Sequence, residues 1–211
     1  LAVADGDVNA VALDPCPFFP KSGGQVGDIG RLELLDGTNR RFNVVRTEKP
    51  YEGGIAVCLD KRDDSSSLCV GTNVRAVVDA QHRASSSVHH TATHLLHAAL
   101  RDVLGAKTGE MPVQAGSNVN ANMLTFDFTH REAMSADEIE MVQKRVNAEA
   151  EKSSNVSVME IGLDEATSRG AMAHFEDRYE DSSKVRVVEI GDGVSSELCC
   201  GTHVSNTVSY T

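Results

Sequence analysis

Tryptophan is absent from the 211 residues, and aromatic side chains make up only 4% of them. A core must therefore rest on Val, Leu, Ile, Ala and Met. No run of about 18 apolar residues occurs, so a transmembrane helix is excluded and no membrane partner is expected. No basic stretch followed by an apolar one opens the chain, which excludes a secretory leader. The chain begins at Leu1, not Met, which points to a piece cut from a longer protein. A basic surplus is missing as well: 31 acidic against 20 basic residues give a net charge of −11. This argues against gripping nucleic acid through a broad positive face, and leaves room for recognising a small nucleic-acid end delivered by another domain. Five cysteines (Cys16, Cys58, Cys69, Cys199 and Cys200) form an odd, scattered set. Reduced thiols in a cytoplasmic setting fit this better than a disulfide scaffold.

The first 79 residues read as β. Short apolar runs at Val8–Val11, Arg41–Val45, Ile55–Leu59 and Val74–Val78 alternate with polar clusters, the pattern of a small barrel or sandwich. Residues 20–30 hold four glycines in eleven positions and predict a loop whose backbone something approaches closely. From residue 80 onward the pattern changes. Ala84–Leu104 predicts a helix, with Ser85–Ser87 offering N-cap oxygens and Gly105 a stop. A strand follows at Met123–Phe128, and the capping box Ser135-Ala-Asp-Glu138 opens a second helix reaching about Lys152. Its apolar positions Ile139, Val142, Val146 and Ala150 keep helical spacing. Strands are expected at Val156–Ile161 and Val185–Ile190, with a short helix at Leu163–Gly170; Val and Ile at nearly every position of the second strand predict burial on both faces. The expected fold class is α+β: a small β-barrel-like domain (1–79), then an α+β core (80–211) whose helices pack on an antiparallel or mixed sheet.

Two residue pairs carry the chemistry. His90 and His94 stand four apart on the first helix, one turn above each other, and can reach one metal ion. At about 100° per residue, His97 and Arg101 fall within roughly 60° of the same face. Near the C-terminus, Cys199 and His203 are again four apart, with Gly201 between them for a tight turn. Together they form a His₃Cys set that suits Zn²⁺ better than Ca²⁺ or Mg²⁺. The plainer alternatives are satisfied helix histidines and a buried apolar thiol. Four protein ligands describe a closed structural site, whereas catalytic zinc keeps a position open. Either one of the four is not a ligand, or the zinc expands its shell, or the metal only shapes a pocket.

The ordered motifs Pro17-Phe-Phe-Pro-Lys-Ser-Gly-Gly-Gln-Val-Gly-Asp28, His90-Thr-Ala-Thr-His-Leu-Leu-His-Ala-Ala-Leu-Arg101, Leu124-Thr-Phe-Asp-Phe128 and Glu197-Leu-Cys-Cys-Gly-Thr-His-Val204 cover essentially the whole chain. In this combination the chain resembles the editing region of alanyl-tRNA synthetase and the free-standing AlaX-type editing proteins. The related editing domain of threonyl-tRNA synthetase fits less well: it lacks the Ser-Gly-Gly-Gln loop and usually has Pro where Thr202 stands. Three positions depart from the pattern. Cys200 replaces a glycine of Cys-Gly-Gly-Thr-His, Val208 follows Thr207 in place of glycine, and Cys16 replaces a threonine.

The resemblance implies a hydrolase that deacylates alanine tRNA mischarged with serine or glycine. It implies Zn²⁺ held by His90, His94, Cys199 and His203, and as partners the 3′ acceptor end of the alanine tRNA and other domains of a synthetase. Gln25 maps near the pocket. With His97 added from the helix face, the candidate catalytic residues are Gln25, His97 and Cys199. Ser22, Gly23, Gly24, Gln25, Thr91, Arg101 and Thr202 are candidate substrate contacts: backbone and amide donors in the loop, a guanidinium for an acceptor-end phosphate, and threonines that can bond a serine hydroxyl. The chemistry suits the role, because a site that activates alanine cannot strongly reject glycine or serine, and a second hydrolytic sieve can. Three competing readings are an inactive zinc module that only binds the acceptor end, a free-standing AlaX-type trans-editing protein, and a metallohydrolase for an unrelated small ester.

Overall fold

The computed structural model describes residues 2–5, 8–51, 53–173 and 183–210. The chain divides into two compact units, Leu1–Ser85 and Ser86–Thr211. The class is α+β, as expected. The first unit is one antiparallel six-stranded sheet of β1 (Ala2–Asp5), β2 (Val8–Val11), β3 (Gly30–Leu34), β4 (Arg41–Glu48), β5 (Ala56–Leu59) and β6 (Val74–Val78), in the order β1-β2-β5-β4-β3-β6. Among the described residues no ladder joins β1 to β6, so the sheet is open and the barrel-like closure is not seen. Its core is Leu32 and Leu34 of β3, Phe42 and Val44 of β4, Val57 and Leu59 of β5, and Phe18.

β4 runs past the expected end at Val45 because of a bulge between Val44 and Arg46. The bulge turns both Val45 and Arg46 outward and brings Thr47 back to the buried face, a shift that strict two-residue alternation cannot anticipate. Thr47 Oγ1 then donates to the carbonyl of Asp28 at 2.9 Å, and the Thr47 carbonyl accepts from the Lys21 N–H at 2.9 Å. What approaches the glycine-rich loop is thus the sheet itself. A Cβ on Gly27 would lie 2.0 Å from the Thr47 carbonyl oxygen. Gly27→Ala is therefore expected to destabilise the chain by about 3 kcal/mol, at the upper end for overpacked sites; urea denaturation checks this, and an unchanged midpoint would remove the packing explanation.

The loop tip is a two-residue turn. Ser22 and Gln25 exchange both backbone hydrogen bonds (3.1 and 2.9 Å), and Gly23 and Gly24 take φ of +57° and +82°, the positive angles a type I′ turn demands at both centres. Nearby, the buried Asp28 carboxylate accepts from the Phe19 N–H at 2.6 Å and from the Arg83 guanidinium, which also donates to the Pro17 carbonyl at 2.7 Å.

The first helix, α1 (Ala80–Leu100), starts four residues before the expected Ala84. Asp79 supplies the cap, its Oδ1 accepting the His82 N–H at 2.9 Å, so the serines at 85–87 lie inside the helix rather than at its start. The helical path also passes the expected stop. A π-helical turn covers Arg101–Gly105 and a short α2 covers Ala106–Thr108, ending at Gly109 with φ +71°. Gly105 has ordinary helical angles; what its missing side chain permits is the approach of Met111 Sδ, 2.5 Å from where a Cβ would be.

The remaining elements of the second unit are β7 (Gln114–Val119), β8 (Leu124–Phe128), α3 (Ala136–Glu151), β9 (Val156–Ile161), α4 (Leu163–Ser168), β10 (Val185–Ile190) and β11 (Ser195–Leu198). β7 and β8 form a hairpin, and β9, β10 and β11 an antiparallel sheet with β10 in the centre. Val185, Val187, Val188 and Ile190 of β10 are all buried, while Arg186 and Glu189 between them are half-buried. The capping box at Ser135 and Glu138 forms as expected. On α3, Val142 is buried and Val146 packs against the core, but Ile139 is 53% exposed. Leu95 packs with Val156, Val188 and Ile190, tying α1 to the sheet. That junction places the middle of α1 beside the end of β11. No described helix is long and apolar enough to cross a membrane.

Candidate metal centre

Helical spacing alone brings His90 and His94 together, with ring centroids 5.6 Å apart. The second pair arrives from the tail. Beyond Leu198 the chain keeps pairing with β10: the Cys199 N–H donates to the Arg186 carbonyl at 3.0 Å, and the Arg186 guanidinium returns a 2.6 Å bond to the Cys199 carbonyl. After His203 the tail is caught again, where the Val156 N–H donates to the Ser205 carbonyl (3.0 Å) and the Ser154 N–H to Thr207 Oγ1 (2.8 Å). The Cys199–His203 turn is thus fixed at both ends. Donor atoms of His90, His94, Cys199 and His203 all lie within 4.8 Å of one another. Cys199 Sγ is 3.3 Å from His90 Nε2 and 3.3 Å from His203 Nε2.

The protonation states suit metal binding on the imidazole side. Burial, followed by the neighbouring His94, lowers the His90 pKa to about 3. Burial and the same crowding hold His203 well below its ordinary value. Both rings therefore offer lone pairs at neutral pH. Burial pushes the Cys199 thiol up to about 12, so a metal ion must displace its proton on binding.

His203 is also oriented. Thr91 Oγ1 donates to the Ser87 carbonyl at 2.9 Å, and the same oxygen is 3.1 Å from His203 Nδ1 and accepts the Val204 N–H at 3.3 Å. With its proton committed to Ser87, the hydroxyl faces His203 as an acceptor. Nδ1 then carries the ring proton and Nε2 faces the sulfur, the tautomer a ligand requires. Thr91, a candidate substrate contact, is completely buried in this role.

The other expected site residues are placed as follows. His97 is 2% exposed, its Nδ1 lying 3.1 Å from Glu197 Oε1 and its Nε2 3.2 Å from the Pro112 carbonyl, so both ring nitrogens face protein oxygens. That clamp holds the ring of His97, an expected catalytic residue, in place. Arg101 opens the π-turn and donates to Met172 Sδ. Thr202 Oγ1 accepts from Ser87 Oγ at 2.8 Å. In the first unit Gln25 is fully buried and Ser22 half-buried, while Gly23 and Gly24 are exposed at the turn tip. Cys200 is exposed and stands outside the donor set.

Sequence reasoning missed Glu197 and Arg186. Glu197 was visible as the residue two before Cys199: in a strand, residues two apart share a face. Nothing local in the sequence distinguishes Arg186 from an edge charge.

Comparison with known proteins points the same way as the motifs. Residues 185–208, which hold β10, β11 and both tail ligands, match the model described as the threonyl and alanyl tRNA synthetase second additional domain. A protein of Pseudomonas fluorescens described as alanine–tRNA ligase is 42% identical over 97% of this chain. Both matches support an alanyl-tRNA synthetase editing-type domain. It spans only 22% of the length of that relative.

Proposed function

We propose that this chain is a proofreading hydrolase of the synthetase family, cleaving the ester that joins serine or glycine to the 3′ end of an alanine tRNA. The observation that carries this reading is the His₃Cys cluster, with His90 and His94 buried and Cys199 and His203 half-buried, built from two motifs of the family resemblance. The donor set fits Zn²⁺: one sulfur and three nitrogens within 4.8 Å, with His90 and His203 held unprotonated. His90, His94, Cys199 and His203 hold the ion, which supplies Lewis-acid polarisation when bound.

The chain's own groups do the rest. An aminoacyl ester is already activated, so a positioned water and hydrogen-bond donors at the carbonyl oxygen are sufficient help. Thr91 keeps His203 in the ligand tautomer, and Thr202 is the threonine proposed to meet a serine hydroxyl. Arg101 is proposed for an acceptor-end phosphate. In the first unit, Gln25 and the Gly23 and Gly24 N–H groups at the tip of the Ser22–Gln25 turn are proposed donors to the substrate. Reaction with water yields the free amino acid and restores the tRNA hydroxyl. The proposed setting is the cytoplasm, with the parent synthetase's other domains supplying the tRNA-binding surface that a charge of −11 does not offer.

The test is deacylation of Ser-tRNA and Gly-tRNA, each prepared on the alanine tRNA, with Ala-tRNA and a panel of simple esters as controls. Faster loss of the two mischarged forms than of Ala-tRNA is expected. The four-donor count also suits a closed, structural zinc in a module that only binds the acceptor end. Retardation of tRNA without any turnover would favour that module, and hydrolysis of the simple esters alone would rule against both.

A further inference from the structure

The cluster has a buried anion beside it that is not one of the four donors. Glu197 sits on β11 between Ser195 and Cys199, on the same face of the strand, and is 3% exposed. A carboxylate withdrawn from water this completely carries a large desolvation penalty unless cationic or hydrogen-bonding groups surround it. Its two oxygens are used differently. Oε1 accepts from Ser195 Oγ at 3.1 Å and lies 3.1 Å from His97 Nδ1. Oε2 stands 3.6 Å from His94 Nδ1. Pro112 closes the far side of His97, its carbonyl 3.2 Å from Nε2. One carboxylate thus spans a donor of the cluster and a locked neighbouring imidazole.

We propose that Glu197 is the positioning carboxylate of the metal centre: it attracts the Nδ1 edge of His94, leaves Nε2 as the ligand atom, and anchors this arrangement on the clamped ring of His97. The inference rests on the reading of the cluster as a metal centre. Ligand histidines commonly hand their second N–H to a carboxylate or carbonyl, which fixes the tautomer and raises ligand basicity. Here Thr91 does this for His203, while the Glu197 carboxylate faces the Nδ1 edge of His94 at 3.6 Å, within reach of electrostatic attraction, so two of three imidazoles are directed by different oxygens. His97 accordingly touches neither substrate nor metal; it stops the Glu197 side chain from swinging away.

The experiment uses the 211-residue chain, stripped with chelator and titrated with Zn²⁺ against a chromogenic competitor, with Co²⁺ absorption spectra in parallel. Glu197→Ala is expected to weaken Zn²⁺ affinity 10–100-fold, the range for removing such an acceptor. Glu197→Gln keeps an acceptor oxygen without the charge and should lose about threefold to tenfold, since a hydrogen bond to a charged group is roughly twice as strong as a neutral one. The Co²⁺ visible bands should shift in both. In a His94→Ala background, Glu197→Ala should cause no further loss. Wild-type affinity in Glu197→Ala overturns the proposal, and so does the same fold-loss with and without His94, which would mark a merely structural role. If Glu197→Ala does not fold, the nearly isosteric Glu197→Gln decides by the same two criteria. Should the unaltered chain bind no Zn²⁺, the metal-centre reading itself fails; binding by the unaltered chain with indifferent Glu197 variants sinks only this inference.

Discussion

Cys199→Ala is expected to lower Zn²⁺ affinity by about a thousandfold and to abolish deacylation of Ser-tRNA. Cys199 is the one donor of the four that binds as an anion, and its sulfur lies 3.3 Å from the Nε2 atoms of both His90 and His203. Four-ligand zinc sites in small domains contribute roughly 10–16 kcal/mol, so one donor's share is on the order of 4 kcal/mol, about three powers of ten in affinity. The turn loses the 3.4 Å bond from the Gly201 N–H to the thiol, but the Arg186 bonds still hold the Cys199 main chain. The substitution should therefore empty the site without unfolding the unit. Cys200→Ala serves as the control. That thiol is exposed and outside the cluster, and its loss should change affinity by less than about twofold, within the ordinary effect of a surface substitution. Competition with a chromogenic chelator measures both. Full deacylation by a metal-free Cys199→Ala chain would refute the zinc hydrolase, and an unchanged affinity would refute the cluster as the metal site.

How much of this was legible before the structure depends on which forces were local. The HxxxH pair on α1 follows from helical spacing, and the capping box at Ser135 from three consecutive-turn interactions; both are near-neighbour effects that sequence displays directly. The convergence of α1 with the Cys199–His203 turn was inferred from chemistry, since nothing in spacing brings residues over a hundred positions apart together. Where the reading missed, a distant partner had intervened. β3 begins inside the glycine-rich segment, because Gly30 allows the Val77 carbonyl to lie 2.2 Å from where a Cβ would be. β7 holds only one aliphatic residue larger than alanine, Val119, and is a strand because β8 pairs with it. The start of α1 was set by Asp79, whose capping role competed with three equally plausible serines. For the site, Gln25 and the Ser-Gly-Gly turn drew attention as a substrate loop. Part of that glycine signal belongs to packing, at Gly27 and Gly30, and part to the turn itself, at Gly23 and Gly24.

The stability of the chelator-stripped chain should fall steeply as pH drops below about 6.5. His90, with a folded pKa of about 3, and His203, held well below 6.5, both stay neutral in the native state while their unfolded counterparts take up protons. The unfolded state then binds more protons, so stability rises with pH between the folded and unfolded values and is fully present only above 6.5. Each histidine contributes a slope of up to about 1.36 kcal/mol per pH unit, or roughly 2.7 kcal/mol per unit for the two. The window from pH 6.5 to 5 isolates them. Asp60 and Glu138, drawn down to about 2 chiefly by hydrogen bonds from Arg62 and Lys107, have unfolded values of 3.8 and 4.5 and enter mainly below that range. On the alkaline side the sign reverses: the native thiol of Cys199 keeps its proton up to about pH 12, the unfolded one loses it near 9, and stability should decline above pH 9. Zn²⁺ should remove the Cys199 share of the alkaline decline, because the bound sulfur is already deprotonated, and leave the share of Cys16 and Cys58, whose thiols burial also raises. Urea midpoints measured across pH 5–10.5, with chelator and with Zn²⁺, test both flanks. Replacing His90 and His203 by Asn should flatten the acid flank; a midpoint that does not move between pH 6.5 and 5 in the stripped chain would show that these imidazoles are not buried as neutral rings.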